Sequence, residues 1–197
     1  MAMIDSDRLG LDEVSALREL LAEREITQVI YRLARASDRA DVELAATCYH
    51  SDATEDHGGF VGPAAEFVAR KGQIQFAETP NIPVMWHSVT NISIELDGDR
   101  AFVESLVFVW QRLVKDGVEF DLPVAGRYLD VFAKREGEWR IFSRVLVFDV
   151  SRVELPTPSY WDVFDKPRDT LRLGSRSGRD ISYDLIADFR AGGAGTE

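Results

Sequence analysis

The sequence predicts an α+β protein in which N-terminal helices cover one face of a strongly curved antiparallel sheet. Apolar residues recur at helical spacing through the first third of the chain, and four long β-rich runs separated by tight-turn sequences fill its second half. The length of 197 residues allows one domain with a real core and is short for two.

Residues 11–36 carry two apolar stripes: Leu11, Val14, Leu17 and Leu21, then Ile26, Val29, Ile30 and Leu33, rotated around the axis. The change of phase near Glu23–Glu25 predicts either two consecutive helices or one helix whose ends meet different partners. A short amphipathic helix follows from Val42 to Tyr49, with Asp41 as its N-cap. "SDATEDHGGFVGP" (51–63) predicts a small hairpin, and helical spacing returns over 64–77 through Phe67, Ile74 and Phe76.

The strands are expected at 84–96, 101–114, 118–134 and 138–150, joined by "DGD", "KDG" and "REGE". Runs this long must twist and curl. In "AFVESLVFVW", Leu106, Phe108 and Trp110 share one face while Val103, Val107 and Val109 share the other. A sheet apolar on both sides needs two covers: the helices for one, a neighbouring subunit for the other. From Ser151 the chain is rich in Pro, Arg, Asp and Gly, with little periodicity. It is expected to wrap over the surface, with "AGGAGTE" disordered.

Composition excludes several classes. A formal charge of −11 without a basic stripe argues against nucleic-acid binding. No apolar run reaches the roughly 20 residues of a membrane span, and no secretory signal is visible, so a cytoplasmic setting is expected. Cys48 is the single cysteine, which removes intrachain disulfides and cysteine zinc cages. No GxGxxG, P-loop or HExxH motif occurs.

Chemistry-bearing residues are few. Asp38 stands two turns after Tyr31, about 20° from it around the helix axis; it either points inward or bonds local backbone or Arg35. His87, one of three histidines with His50 and His57, opens a strand. It is either a hydrogen-bonded core or edge residue, or a base whose ring a buried carboxylate orients. Strand alternation groups His87 with Val89 and Asn91, opposite Ile92, Ile94 and Leu96, unless a bulge reverses the pattern. Arg144 either faces solvent or enters the interior to hold an anion. Tyr31 and Tyr49 offer phenols, His57 a second acid–base group beside a glycine turn, and Phe60, Trp86 and Trp110 rings for stacking; core packing explains each of these aromatics equally well. The acidic group Asp52, Glu55 and Asp56 beside His57 fits a solvated hairpin better than a metal loop.

The segment "ITQVIYRLARASDRADVELAATCYHSDATED", the "GGFVGP" turn, "WHSVTN" and "GRYLDVFAKREGEWRIFSRVLVF" together resemble the SnoaL-like branch of the nuclear transport factor 2-like superfamily over roughly residues 20–150. Relatives in that branch include scytalone dehydratase, bile acid 7α-dehydratase and hexachlorocyclohexane dehydrochlorinase, the last most similar around "HSVTN". The resemblance implies a cone-shaped α+β barrel over residues 1–150, its curved sheet wrapped around the helices with an internal apolar pocket. Residues 151–197 are expected to form an extension packing on that domain or on a neighbouring subunit. The resemblance also implies a catalytic Asp38–His87 pair without metal or cofactor; Tyr31, Tyr49, His57, Phe60, Trp86, Trp110 and Arg144, read from their own positions, are the candidate substrate-binding residues around it.

The expected activity is therefore a cofactor-independent lyase on a hydrophobic cyclic or aromatic molecule, releasing water, halide or an aldehyde, as in the deformylation of lignin-derived aromatics. A homo-oligomer is expected, trimer before dimer. The alternatives are an isomerase or hydratase using the same pair, a non-catalytic apolar-ligand binder, and a structural small subunit of a ring-hydroxylating dioxygenase.

Overall fold

Residues Leu11–Arg39 form one 29-residue helix, α1, in the computed structural model, which describes residues 10–69, 81–159, 163–164, 172–176 and 178–191. The Glu13 carboxylate accepts the Gly10 N–H at 2.8 Å at its start, and Ala40 ends it in the left-handed conformation (φ 55°). Of the two readings of the phase change, the single helix with unlike ends is the one observed. Leu20 and Leu21 are exposed in its first half, whereas Ile26, Val29, Ile30, Leu33 and Ala36 are buried in its second.

Helix α2 (Val42–Ala46) is capped by Asp41, whose side chain accepts the Leu44 N–H at 2.9 Å. The helix ends earlier than expected, because Tyr49 already belongs to strand β1 (Tyr49–Asp56). β1 turns into β2 (Val61–Pro63), and residues 64–69 are helical (α3). The expected continuation of that helix through Ile74 and Phe76 lies outside the described residues. Four long strands follow: β3 (Asn81–Asp97), β4 (Arg100–Lys115), β5 (Val118–Arg135) and β6 (Glu138–Ser151). Asp116–Gly117 and Glu136–Gly137 all have positive φ, the geometry of two-residue hairpin turns whose twist matches the strands.

The sheet order is β2-β1-β6-β5-β4-β3. The two edges do not meet, so the curved sheet stays open. It is also mixed rather than antiparallel throughout: β1 runs parallel to β6. Side-chain alternation is the same for both strand directions, which is why the sequence did not reveal this pairing.

One bulge decides which residues face the helix. The β3–β4 register shifts between Thr90 and Ser93, and Asn91 adopts φ 49° there. Two successive residues, Thr90 and Asn91, point outward. His87 and Val89 therefore share the inner face with Ile92, Ile94 and Leu96 instead of opposing them. Helix α1 lies against this face, and its buried stripe joins Val103, Phe132, Trp139 and Ile141 in one core. The outer face keeps Trp86, Phe102, Leu106, Phe108 and Val150 exposed.

The C-terminal extension contains a helix that weak periodicity did not predict, α4 (Ile181–Arg190), capped by the Asp180 side chain on Ser182. It is tied to the end of α1. Arg39 pairs with Asp180 at 3.3 Å, Arg35 donates to Ser182 Oγ at 3.2 Å, and the Tyr183 hydroxyl donates to Asp41 at 2.8 Å. Residues 192–197, most of the tail expected to be disordered, lie outside the described residues. No helix among the described residues is long and apolar enough to cross a membrane.

Candidate active site

Asp38 sits in the last turn of α1, where α1 packs on β3. Its carboxylate holds His87 twice: Oδ1 lies 2.7 Å from ring Nδ1, and Oδ2 accepts the His87 backbone N–H at 3.1 Å. The two side chains are 15% and 5% exposed. A nitrogen shared with a carboxylate carries the proton, so Nε2 is the basic nitrogen of the neutral ring. Arg176 donates to Ser37 O at 2.9 Å beside this pair; burial pulls its guanidinium down to about 10, and Asp38 opposes that shift.

His87 lines a cavity bounded by the inner faces of α1, α2, α3, β1, β3, β5 and β6. Ile30, Leu33, Val42, Val68 and Val89 give it apolar walls. A water-sized sphere can be centred in only about 30 Å³ of it, room for one or two waters. A ring-sized ligand must therefore spread the walls.

The far wall is charged and buried. Arg144 (5% exposed) meets Asp130 (0%) through two parallel bonds of 2.7 Å each, and its guanidinium stacks 3.9 Å from the Tyr128 ring centroid. Burial works against the Arg144 charge, but Asp130, Tyr49 and Tyr128 together more than offset it, so the guanidinium is held above its ordinary value. Burial pushes the Asp130 carboxyl up, and Arg144 opposes that push. The bidentate contact to an always-charged guanidinium keeps the pair ionised. Burial also raises the Tyr128 hydroxyl to about 12.

Next to Arg144 in register lies Glu55, 1% exposed. Its Oε2 accepts the Tyr49 hydroxyl at 2.9 Å, and its Oε1 lies 2.9 Å from His57 Nδ1. Burial drives the Tyr49 hydroxyl well above 10, and the Arg144 charge opposes this, so Tyr49 is a neutral donor. Glu55 is therefore not part of a solvated hairpin. Asp52 is, exposed and paired with Arg135. No group of three or more His, Cys, Asp or Glu among the described residues is arranged to hold a metal.

The structure thus brings His87, Tyr49, His57 and Arg144 to one cavity, with Asp38 behind His87. It separates the others. Tyr31, 48% exposed, stays near the pair but outside that cavity, in an open cleft that Asp38 and His87 also line. Trp86 and Trp110 are register partners on the outer face, Trp86 being 50% exposed; a bulge downstream leaves even-numbered β3 residues before it pointing out. Phe60 packs on Phe67, 5.5 Å between ring centroids, behind the cavity wall. The sequence reading missed Glu55 as an inward group, along with Asp130 and Tyr128. The signal was available: Tyr128, Asp130 and Phe132 alternate on one face of β5, and Ala53 and Glu55 do so on β1.

An open curved sheet folded over a long helix, with an Asp–His pair at an apolar cavity, is the cup of the nuclear transport factor 2-like class. Residues 18–145 match the SnoaL-like domain family, and the chain belongs to that family. Three solved structures share its fold. A putative scytalone dehydratase from Novosphingobium aromaticivorans has a TM-score of 0.59 at 20% identity, over 72% of this chain and 96% of its own. The hexachlorocyclohexane dehydrochlorinase LinA-type3 from Novosphingobium barchaimii has a TM-score of 0.61 at 16% identity, over 73% and 99%. The Kfla4162 protein from Kribbella flavida has a TM-score of 0.58 at 20% identity, over 66% and 92%. No curated protein matches the chain.

Proposed function

We propose that the protein is a cofactor-independent lyase acting on a hydrophobic cyclic or aromatic small molecule, with His87 as general base and Asp38 as the group that orients it. The observation that carries this reading is the double hydrogen bond from His87 to Asp38 at the edge of an apolar cavity. Nε2 takes a proton from carbon or hydroxyl, and the Asp38 carboxylate stabilises the imidazolium that forms. Arg144 also lines this cavity, with its charge already paired to Asp130. The putative dehydratase and the dehydrochlorinase that share the fold carry names of elimination enzymes, which supports loss of water or halide.

The test is a turnover screen of the purified protein without added cofactor on hydroxylated and halogenated ring compounds and aryl diols, read by mass spectrometry. His87→Ala and Asp38→Asn run beside the parent. A compound consumed by the parent and by neither folded variant supports the reading. Equal turnover by all three overturns it.

The exposed outer face, with Trp86, Leu106, Phe108 and Val150, supports a second proposal: self-association through the sheet, as a trimer before a dimer. Sedimentation equilibrium of the parent and of Phe108→Lys tests it. A monomeric parent ends it.

A further inference from the structure

We propose that Glu55 and His57 form a second acid–base pair in the same cavity, one that holds a proton and delivers it to a departing oxygen. This inference rests on the lyase reading above and narrows its substrate class to compounds that lose a hydroxyl group.

The pair repeats the geometry of Asp38 and His87 on different elements. In each, a carboxylate oxygen lies within 3 Å of imidazole Nδ1 (2.9 Å for Glu55–His57, 2.7 Å for Asp38–His87), and each histidine lines the cavity. Strands β6, β5 and β4 stand between β1 and β3 in the sheet, so the two rings enter from different ends of it. His57 is held firmly. Its ring packs 4.5 Å from Phe67 and edge-on to Phe148, and its backbone N–H donates to Phe60 O at 2.8 Å in the turn that Gly58 (φ 72°) makes possible.

Charge balance gives this pair its role. Glu55, Arg144 and Asp130 lie in one row across β1, β6 and β5. Both Arg144 bonds in that row go to Asp130, and their charges cancel. Glu55 is left as a buried carboxylate whose partners are a neutral phenol and an imidazole. A buried charge calls for a counter-charge, and the ring of His57 is the group that supplies it by holding a proton. Among the described residues, the other titratable groups lining the cavity are Asp41, Tyr128 and His87, with Asp38 behind His87 and Asp56 next in the chain.

The step balances without a co-reactant. His87 Nε2 takes a proton from a C–H bond, whose electron pair becomes the new C=C bond. The adjacent C–O bond breaks, its electrons stay on oxygen, and that oxygen takes a proton from His57 and leaves as water. His87 then releases its proton to solvent and His57 takes one up. Halide needs no such proton to leave, whereas hydroxide does.

The test has two arms. In protein labelled with ¹⁵N-histidine only three rings report, and His57→Asn assigns the one in question. The His57 ring should stay cationic to a higher pH in the parent than in Glu55→Gln; identical titrations overturn the pair. The second arm compares one ring skeleton carrying either a hydroxyl or a chloride leaving group. His57→Asn should lower kcat for water loss by about 10² or more relative to kcat for chloride loss, while His87→Ala lowers both. Equal loss on both substrates, or on neither, overturns the donor role. A parent inert on both substrates ends the lyase reading and the donor role together, while a coupled titration would still establish the pair as a proton-holding site.

Discussion

Asp38 accepts two hydrogen bonds from one residue, His87, at 2.7 Å from the ring and 3.1 Å from the backbone. The backbone bond fixes where the carboxylate sits; the ring bond fixes which nitrogen is basic. Orientation and protonation of the base are thereby set by a single side chain on another element.

Replacing that carboxylate should act on the chemical step rather than on binding. Asp38→Asn keeps the shape but offers an amide that can present its N–H to Nδ1 and reverse the tautomer. On any substrate the parent turns over, kcat should fall about 10²–10⁴-fold with KM little changed. Steady-state kinetics of the folded variant check this; a parallel rise in KM would indicate a binding role instead.

The Arg144–Asp130 pair should govern stability more than its polar character suggests. Arg144→Met leaves Asp130 buried and unpaired, at a cost of about 3–5 kcal/mol. Combining it with Asp130→Leu removes both charges and should recover most of the loss. Urea midpoints of the two single variants and the double variant measure the coupling; simple additivity would contradict the account.

Attachment of α4 should weaken in acid. Bonds from Ser182 and from the Ser175 backbone hold the Asp180 carboxyl down at about 2, against 3.8 ordinarily. A depressed carboxylate stabilises the fold above its unfolded value and loses that contribution as pH falls through the folded one. The parent's advantage in melting temperature over Asp180→Asn should be constant above about pH 5 and shrink steadily below about pH 4. An advantage independent of pH would show that the bonds do not depend on ionisation.

The bulge in β3 should be sensitive to residue type at one position. Asn91 holds φ 49°, a region that asparagine and glycine tolerate and β-branched residues do not. Asn91→Val should cost about 1–2 kcal/mol, whereas Asn91→Gly should change stability little. Denaturant unfolding of both reads the difference.

That bulge marks where reading along the chain stops. Period-2 alternation made the four long strands and their turns legible, and period-3.6 spacing made α1 legible, because both patterns are local consequences of burying one face. An inserted residue breaks the count, so alternation alone set His87 against Ile92, Ile94 and Leu96, when all face the helix. The same local view put Trp86 and Trp110 near the pocket, since an aromatic strand face reads alike from either side.

By itself the sequence determined α1 and the four long strands, their order and the family, and through the family resemblance it singled out Asp38 and His87. Only the tertiary structure decided the parallel β1–β6 pairing, the docking of α4 on α1, and the meeting of Glu55 with His57 and Tyr49 beside Arg144 and Asp130. The β1–β6 pairing joins Glu55 to Arg144 and the α4 docking joins Arg39 to Asp180, residues far apart in the chain, and no local period encodes either. Whether a buried carboxylate is a fault or a working group depends on the partner that the fold brings to it.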